Sequence, residues 1–162
     1  MITAVKIRLK PTEEQEVLFR KSCGVARWSY NYFLAENMNH YKETGEYLKE
    51  TEVRKYINNV LKPTTHTWLK EVGSNVMKQA VRDADLAIKR WLKGISGKPK
   101  FKCKHQCKDS FYVNYESLKR TKNGFRGEKL GNVKTCSPLP KLKKDEHYLN
   151  PRISFDGTYW YL

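Results

Sequence analysis

Val5, Ile7 and Leu9 alternate with Lys6, Arg8 and Lys10 at the start of the chain, and a period of two is the signature of a strand with one buried and one wet face. This reads Met1 to Lys10 as a strand, ended by Pro11. A strand cannot stand alone, because its backbone N–H and C=O groups need partners. The next strand-like patterns come only at Phe111, Val113 and Tyr115, at Gly131 to Thr135, and at Ile153 to Phe155 and Thr158 to Leu162. Between Pro11 and Gly94 the pattern is mainly helical in period, and beyond Gly94 glycine, proline and lysine dominate before the strands begin. The fold class expected is therefore α+β: a sheet or barrel whose first strand is separated from the rest by an inserted helical module.

The helical module has readable ends. Thr12 followed by Glu13, Glu14 and Gln15 is a capping box, with acids where the helix dipole favours them. Leu18, Val25, Trp28 and Tyr32, flanked by Phe19, Cys23, Ala26, Tyr30 and Phe33, recur at helical spacing to about His40, and Gly24 is where this helix could bend or split. Lys42 to Gly45 reads as a turn. A second amphipathic piece covers Thr51 to Leu61 through Val53, Tyr56, Ile57 and Val60 and stops at Pro63, and Trp68, Leu69 and Val72 anchor the next connection. The clearest helix runs from an N-cap at Ser74 to Lys93, with Val76, Ala80, Ala84, Ala87 and Trp91 in one stripe that Met77, Val81 and Ile88 widen. Gly94 ends it in the C-cap position, and Asp156-Gly157 is a hairpin turn between the last two strands.

Charge limits the partners. Lys and Arg number 32 against 17 Asp and Glu, a formal +15, so a polyanion is expected. The excess is localised: between Gly94 and Lys144, 14 basic residues face only Asp109, Glu116 and Glu128, a net of +11. Ten tyrosines add flat faces that stack on bases beside cations that neutralise phosphates, although the same rings also fill cores. No run approaches the ~18 apolar residues of a membrane span, and the first ten residues form neither a signal peptide nor an anchor. No basic helix with a greasy opposite face sits at a terminus. The expectation is a cytoplasmic protein with no membrane partner.

Catalytic chemistry is hard to find. Metal-dependent phosphodiester hydrolysis needs carboxylates converging on divalent cations. Here Glu13, Glu14 and Glu16 sit in a helix first turn, Asp83 and Asp85 interleave with Arg82 and Lys89, and Asp156 is in a turn. His40, His66, His105 and His147 show no HExxH spacing, and neither a Gly-x-Ser-x-Gly elbow nor a phosphate-binding glycine loop is present. No catalytic residue and no cofactor is expected. Cys103, His105 and Cys107, with Cys136 further on, offer soft ligands, but their spacing departs from Cys-x2-Cys knuckles, so reduced thiols without metal are expected.

Seven stretches, in order, resemble the N-terminal half of TnpB (OrfB) proteins, transposon-encoded relatives of compact type V CRISPR effectors. They are Lys6 to Gln15; Cys23 to Leu34, similar to a Gly-x-x-Arg-aromatic-x-Tyr-Asn helix; Tyr41 to Gly45; Trp68 to Val72 with the helix Val76 to Gly94, carrying Gln79, Arg82, Asp83 and Trp91; Gly97 to Lys102; Lys129 to Lys134; and Arg152 to Leu162. The resemblance implies a small wedge-type β-barrel formed by residues 1–11 and 96–162, interrupted by a helical recognition domain at 12–95. It implies guide RNA and target DNA as partners, in the prokaryotic cytoplasm near the nucleoid, with a short target-adjacent duplex motif read by protein and the rest by base pairing. RuvC nuclease and zinc-ribbon domains of the family have no counterpart before Leu162, so cleavage is not expected of this chain, and Thr158 to Leu162, lacking a stop signal, reads as a strand cut in a fragment.

By position in the resemblance, Ser74, Asn75, Lys78 and Arg82 on the long helix approach the target-adjacent duplex. A helix N-terminus with short polar side chains also suits a phosphate, and an ordinary cap fits the same residues. Lys98, Lys100, Lys102 and Lys104 are expected to track a nucleic-acid backbone or to form a solvated loop. Arg27 and Tyr30 lie near the face that would meet RNA, with Tyr30 equally suited to the core. Two other functions fit the charge: a stand-alone DNA-binding regulator derived from a truncated transposon gene, and a structural RNA-associated protein of the ribosomal type.

Overall fold

Among residues 2–162, which the computed structural model describes, the chain runs β1 (Leu9–Lys10), α1 (Glu13–Thr44), α2 (Glu50–Tyr56), α3 (Ser74–Leu92), β2 (Ser110–Tyr112), β3 (Lys119–Thr121), β4 (Gly124–Gly127), β5 (Gly131–Thr135), β6 (Arg152–Phe155) and β7 (Trp160–Tyr161). A π-helical turn, Ile57–Leu61, continues α2, and a 3-10 turn, Thr67–Glu71, precedes α3. This is an α+β chain, helices bracketed by strands. Among the described residues no helix is long and apolar enough to cross a membrane.

Helix α1 starts as its capping box dictates. The Thr12 N–H donates to Gln15 Oε1 at 3.1 Å and the Gln15 N–H donates to Thr12 Oγ1 at 3.2 Å. The helix is 32 residues long and passes Gly24 unbroken, because a single glycine costs only about 1 kcal/mol when a buried face is available. It outruns its expected end at His40: the turn read at Lys42 to Gly45 is its last turn, closed by Gly45 at φ +75°. Helix α3 ends in a Schellman arrangement, with Gly94 at φ +70° donating to Trp91 O at 2.9 Å and Ile95 donating to Arg90 O at 2.9 Å.

The strands form two antiparallel sheets, β1-β5-β4-β3 and β2-β6-β7. The N-terminal strand is shorter than its alternation suggests. Ile7 and Leu9 are buried, but Val5 is 53% exposed and β1 covers only Leu9–Lys10; Met1 lies outside the described residues. Leu9 is in register with Thr135, while Ile7 and Leu162 exchange both backbone hydrogen bonds, at 2.8 and 2.9 Å, and Arg8 faces Tyr161. The segment 7–10 therefore joins the two sheets by pairing with β7 and then with β5. Among the described residues β2 and β3 are not paired, so the ladder stays open there.

One hairpin lay outside the sequence reading. β3 and β4 pair around Lys122 and Asn123, with Lys119 opposite Arg126. Its strands carry too few apolar residues to alternate, and the only local signal is the dipeptide Asn123-Gly124. Glycine is required at 124, because a Cβ there would lie 1.8 Å from Val133 O.

The chain divides into two compact units, Met1–Cys23 with Lys108–Leu162, and Gly24–Cys107. In the first, Phe19 is fully buried, with its ring 5.7 Å from Phe111 and 5.1 Å from Trp160 in an edge contact. Gln15 adds a polar tie: its Nε2 donates to Leu130 O at 3.1 Å and Asn132 O at 2.9 Å. In the second, Val25, Phe33 and Leu34 of α1, Val53 of α2, Ile57 after it, and Val76, Ala80, Val81, Ala84 and Ile88 of α3 are buried. Tyr56 and Val60, read as part of the apolar face of the second helical piece, are 48% and 42% exposed, and at Val60 the π-helical turn Ile57–Leu61 alters the angular spacing.

Candidate nucleic-acid interface

The residues named above as candidate nucleic-acid contacts, Ser74, Asn75, Lys78, Arg82, Arg27, Tyr30 and the four lysines from Lys98 to Lys104, lie in the unit Gly24–Cys107. At the start of α3 the cap is Gly73, not Ser74: Gly73 has the extended backbone of an N-cap, and its carbonyl accepts from Val76 N–H at 3.1 Å. Ser74 is the first helical residue. Ser74, Lys78 and Arg82 follow at intervals of four and so form one line along α3, with Asn75 beside it. Ser74, Asn75 and Lys78 are half-buried, and Arg82 is exposed with Nε 4.0 Å from Glu50 Oε1. Glu50 also ion-pairs with Arg54 one turn along α2. A carboxylate therefore tempers the positive line at its Arg82 end.

The stronger feature is the segment after α3. Lys98, Lys100, Lys102 and Lys104 are all exposed. The segment is held to α1 by Asn31, whose Oδ1 accepts the Lys102 N–H at 2.8 Å and whose Nδ2 donates to the Lys102 carbonyl at 2.9 Å. One side-chain amide thus pairs with a peptide group as a neighbouring strand would. Lys102 Nζ sits 4.1 Å from the centre of the Tyr30 ring, and Lys98 Nζ 5.7 Å from the Trp91 ring. These contacts hold Lys102 and Lys98 in place, and Lys100 and Lys104 alternate with them in the same exposed segment.

Tyr30 occupies a core position. It is 8% exposed, lies under the Lys102 ammonium, and has its phenol pKa raised by burial and by the Asp83 carboxylate. Its ring supports the lysine from below. Arg27, one turn before Asn31 on α1, is half-buried. Asn31 was not singled out from the sequence as a site residue, and nothing within a few positions of it signals its partner.

A second feature went unread as well. Trp28, Tyr32, His66 and Trp68 form an aromatic group, with the Trp28 ring centre 5.0, 4.8 and 5.3 Å from Tyr32, His66 and Trp68. Burial, with help from Glu36 and Tyr56, pushes the Tyr32 phenol up to about 12. The acidic residues have local partners: Asp83 accepts from Gln79 Nε2 at 3.0 Å, Asp85 from Lys89 at 2.6 Å, and Asp156 from the backbone of Thr158 and Tyr159 at 2.8 and 2.7 Å. Among the described residues no three His, Cys, Asp or Glu side chains gather as a metal site, and Cys107 Sγ donates to the Cys103 carbonyl at 3.1 Å.

Residues 1–46 match the family described as helix-turn-helix domain, of the OrfB type of IS605 elements. What the chain resembles is the N-terminal portion of OrfB-family proteins. It is similar in particular to InsQ of Escherichia coli (strain K12), whose name carries an inferred activity, RNA-guided DNA endonuclease: the two are 26% identical over 105 residues, which are 65% of this chain and 26% of InsQ. The match thus spans about a quarter of the relative's length. The geometry qualifies the family description, because residues 1–46 here hold β1 and one uninterrupted helix, with no turn between Glu13 and Thr44.

Proposed function

We propose that this chain is the nucleic-acid-gripping portion of an RNA-guided DNA endonuclease of the TnpB type, holding a guide RNA and helping to read a short duplex motif beside the target. The observation that carries it is the Asn31 clamp, which fixes Lys102 in the middle of the exposed lysine segment Lys98, Lys100, Lys102 and Lys104. Lysines on a segment whose backbone is anchored lose less loop freedom on binding a phosphate backbone than a floppy tract would. The similarity to InsQ supports the choice of partners, and its name supports an RNA-guided endonuclease as the whole protein. In this reading the strands of the first unit are the wedge module and the helices of the second the recognition module. The work is done in the prokaryotic cytoplasm, on the chromosome. Sequence discrimination is delegated to base pairing, so the protein needs phosphate contacts and shape recognition more than base-specific side chains.

The test is fluorescence anisotropy with a structured RNA encoded beside the gene and with a random DNA duplex of equal charge. The RNA should bind more tightly at about 150–200 mM salt, where non-specific contacts fade. Replacing the four lysines by glutamine should flatten the slope of log K against log salt by about 3, since each phosphate contact contributes about 0.7–0.9. Equal binding of both nucleic acids would remove the guide-RNA reading, and tight binding of one defined duplex without RNA would favour a DNA-binding regulator.

A further inference from the structure

The helical unit also contains a pocket of about 300 Å³ that the lysine segment does not account for. Its floor is apolar: Leu34 and Ile88 are 1% and 7% exposed. Its walls are aromatic. Tyr41 and Tyr47 stack with ring centres 4.6 Å apart and an interplanar angle of 23°, and Trp91 contributes a further ring. Its rim is basic, formed by the exposed side chains of Lys42 and Lys98. Lys98 is the first lysine of the segment described above, and its ammonium lies 5.7 Å from the centre of the Trp91 ring.

We propose that this pocket receives one unstacked nucleobase from a single-stranded stretch of the bound nucleic acid, with the flanking phosphates on Lys42 and Lys98. Three observations select this occupant. The volume is at the lower end of the roughly 300–1,000 Å³ of ligand sites, which suits one ring system and not a helix. The rim carries two lysines, so the molecule entering should bring negative charge at its edge and an apolar, flat interior, the combination a nucleotide offers. Asn37, the deep polar side chain of the lining, has its amide committed, Nδ2 donating to Phe33 O at 3.0 Å and Oδ1 accepting from Leu48 N–H at 2.9 Å. It therefore has little to offer the edge of a base, and recognition is by stacking and tolerant of sequence.

This inference rests on the nucleic-acid reading above, and its test separates the two. A short single-stranded oligodeoxynucleotide and an abasic strand of the same length and charge are titrated onto the full chain, onto Tyr41→Ala and onto Tyr41→Phe. Tyr41 is 46% exposed, so its truncation should leave the fold intact, which circular dichroism checks. The base-bearing strand should bind the wild type between about fivefold and a hundredfold more tightly than the abasic one, the range of a single aromatic–base stack. Tyr41→Ala should largely remove that ratio and Tyr41→Phe should keep it, while Trp91→Ala, as a second variant, should reduce it as well. Equal binding of the two strands by the wild type, or an unchanged ratio in both alanine variants, would overturn the proposal while leaving structured-RNA binding as a separate result. Loss of all nucleic-acid binding by the wild type would overturn both readings. An apolar peptide seating against Tyr41, with neither strand competing, would assign the pocket to a protein segment and overturn it too.

Discussion

Asn31 and Lys102, 71 residues apart, are joined by both faces of one amide, Oδ1 to the Lys102 N–H at 2.8 Å and Nδ2 to its carbonyl at 2.9 Å. This pair turns a lysine-rich connection into a positioned surface. Tyr30, the neighbour of Asn31, completes it by placing an aromatic face under the Lys102 ammonium.

Asn31→Ala should therefore cost about 1–2 kcal/mol, the net value of two hydrogen bonds, while leaving helix content unchanged. The sharper expectation is local. Residues 98–104 should become the first site of tryptic cleavage, and the Lys102 amide should lose protection in hydrogen exchange.

Gln15 does for the first unit what Asn31 does for the second. Its Oε1 completes the capping box on Thr12, and its Nε2 donates to Leu130 O and Asn132 O, 115 and 117 residues away. Gln15→Glu keeps the cap acceptor but has no donor and places a negative charge against two carbonyls. It should lower stability by about 1–2 kcal/mol in urea unfolding, more than Thr12→Ala, which loses only the cap at about 1 kcal/mol.

Gly124→Ala should cost about 3 kcal/mol, because its Cβ would sit 1.8 Å from Val133 O on the paired strand β5. A backbone carbonyl in a ladder cannot rotate away as a side chain can. A large drop in thermal midpoint for this variant, with little change for Gly97→Ala, whose added Cβ meets nothing within 4 Å, would check the argument.

Tyr32 gives a test in alkali. Its phenol is held protonated to about 12, mainly by burial and then by Glu36 and Tyr56, against 10.0 for an ordinary tyrosine. Because the folded value is the higher one, the stability tied to the neutral phenol is fully present below pH 10.0 and is lost as pH rises towards 12. Spectrophotometric titration of Tyr32→Phe should show one fewer late-forming phenolate than the wild type, and the variant should lose less stability than the wild type over that interval.

The amino-acid sequence by itself determined the parts whose causes are local. The capping box at Thr12 and Gln15, the glycine stop at Gly94 and the Asp156-Gly157 turn depend on contacts within a few residues, and the α3 stripe and strand β5 announce themselves by the spacing of neighbouring residues, so all these signals lie side by side in the chain. The +11 tract was equally plain, since charge needs no partner to be counted. Tertiary structure decided what those parts became. It divided the segment 7–10 between β7 and β5, made Gly73 rather than Ser74 the cap, buried Tyr30, and committed the amides of Asn31 and Gln15 to backbone groups far along the chain. A side-chain amide can bond to any peptide group that folding brings near, and only the packed chain selects which one.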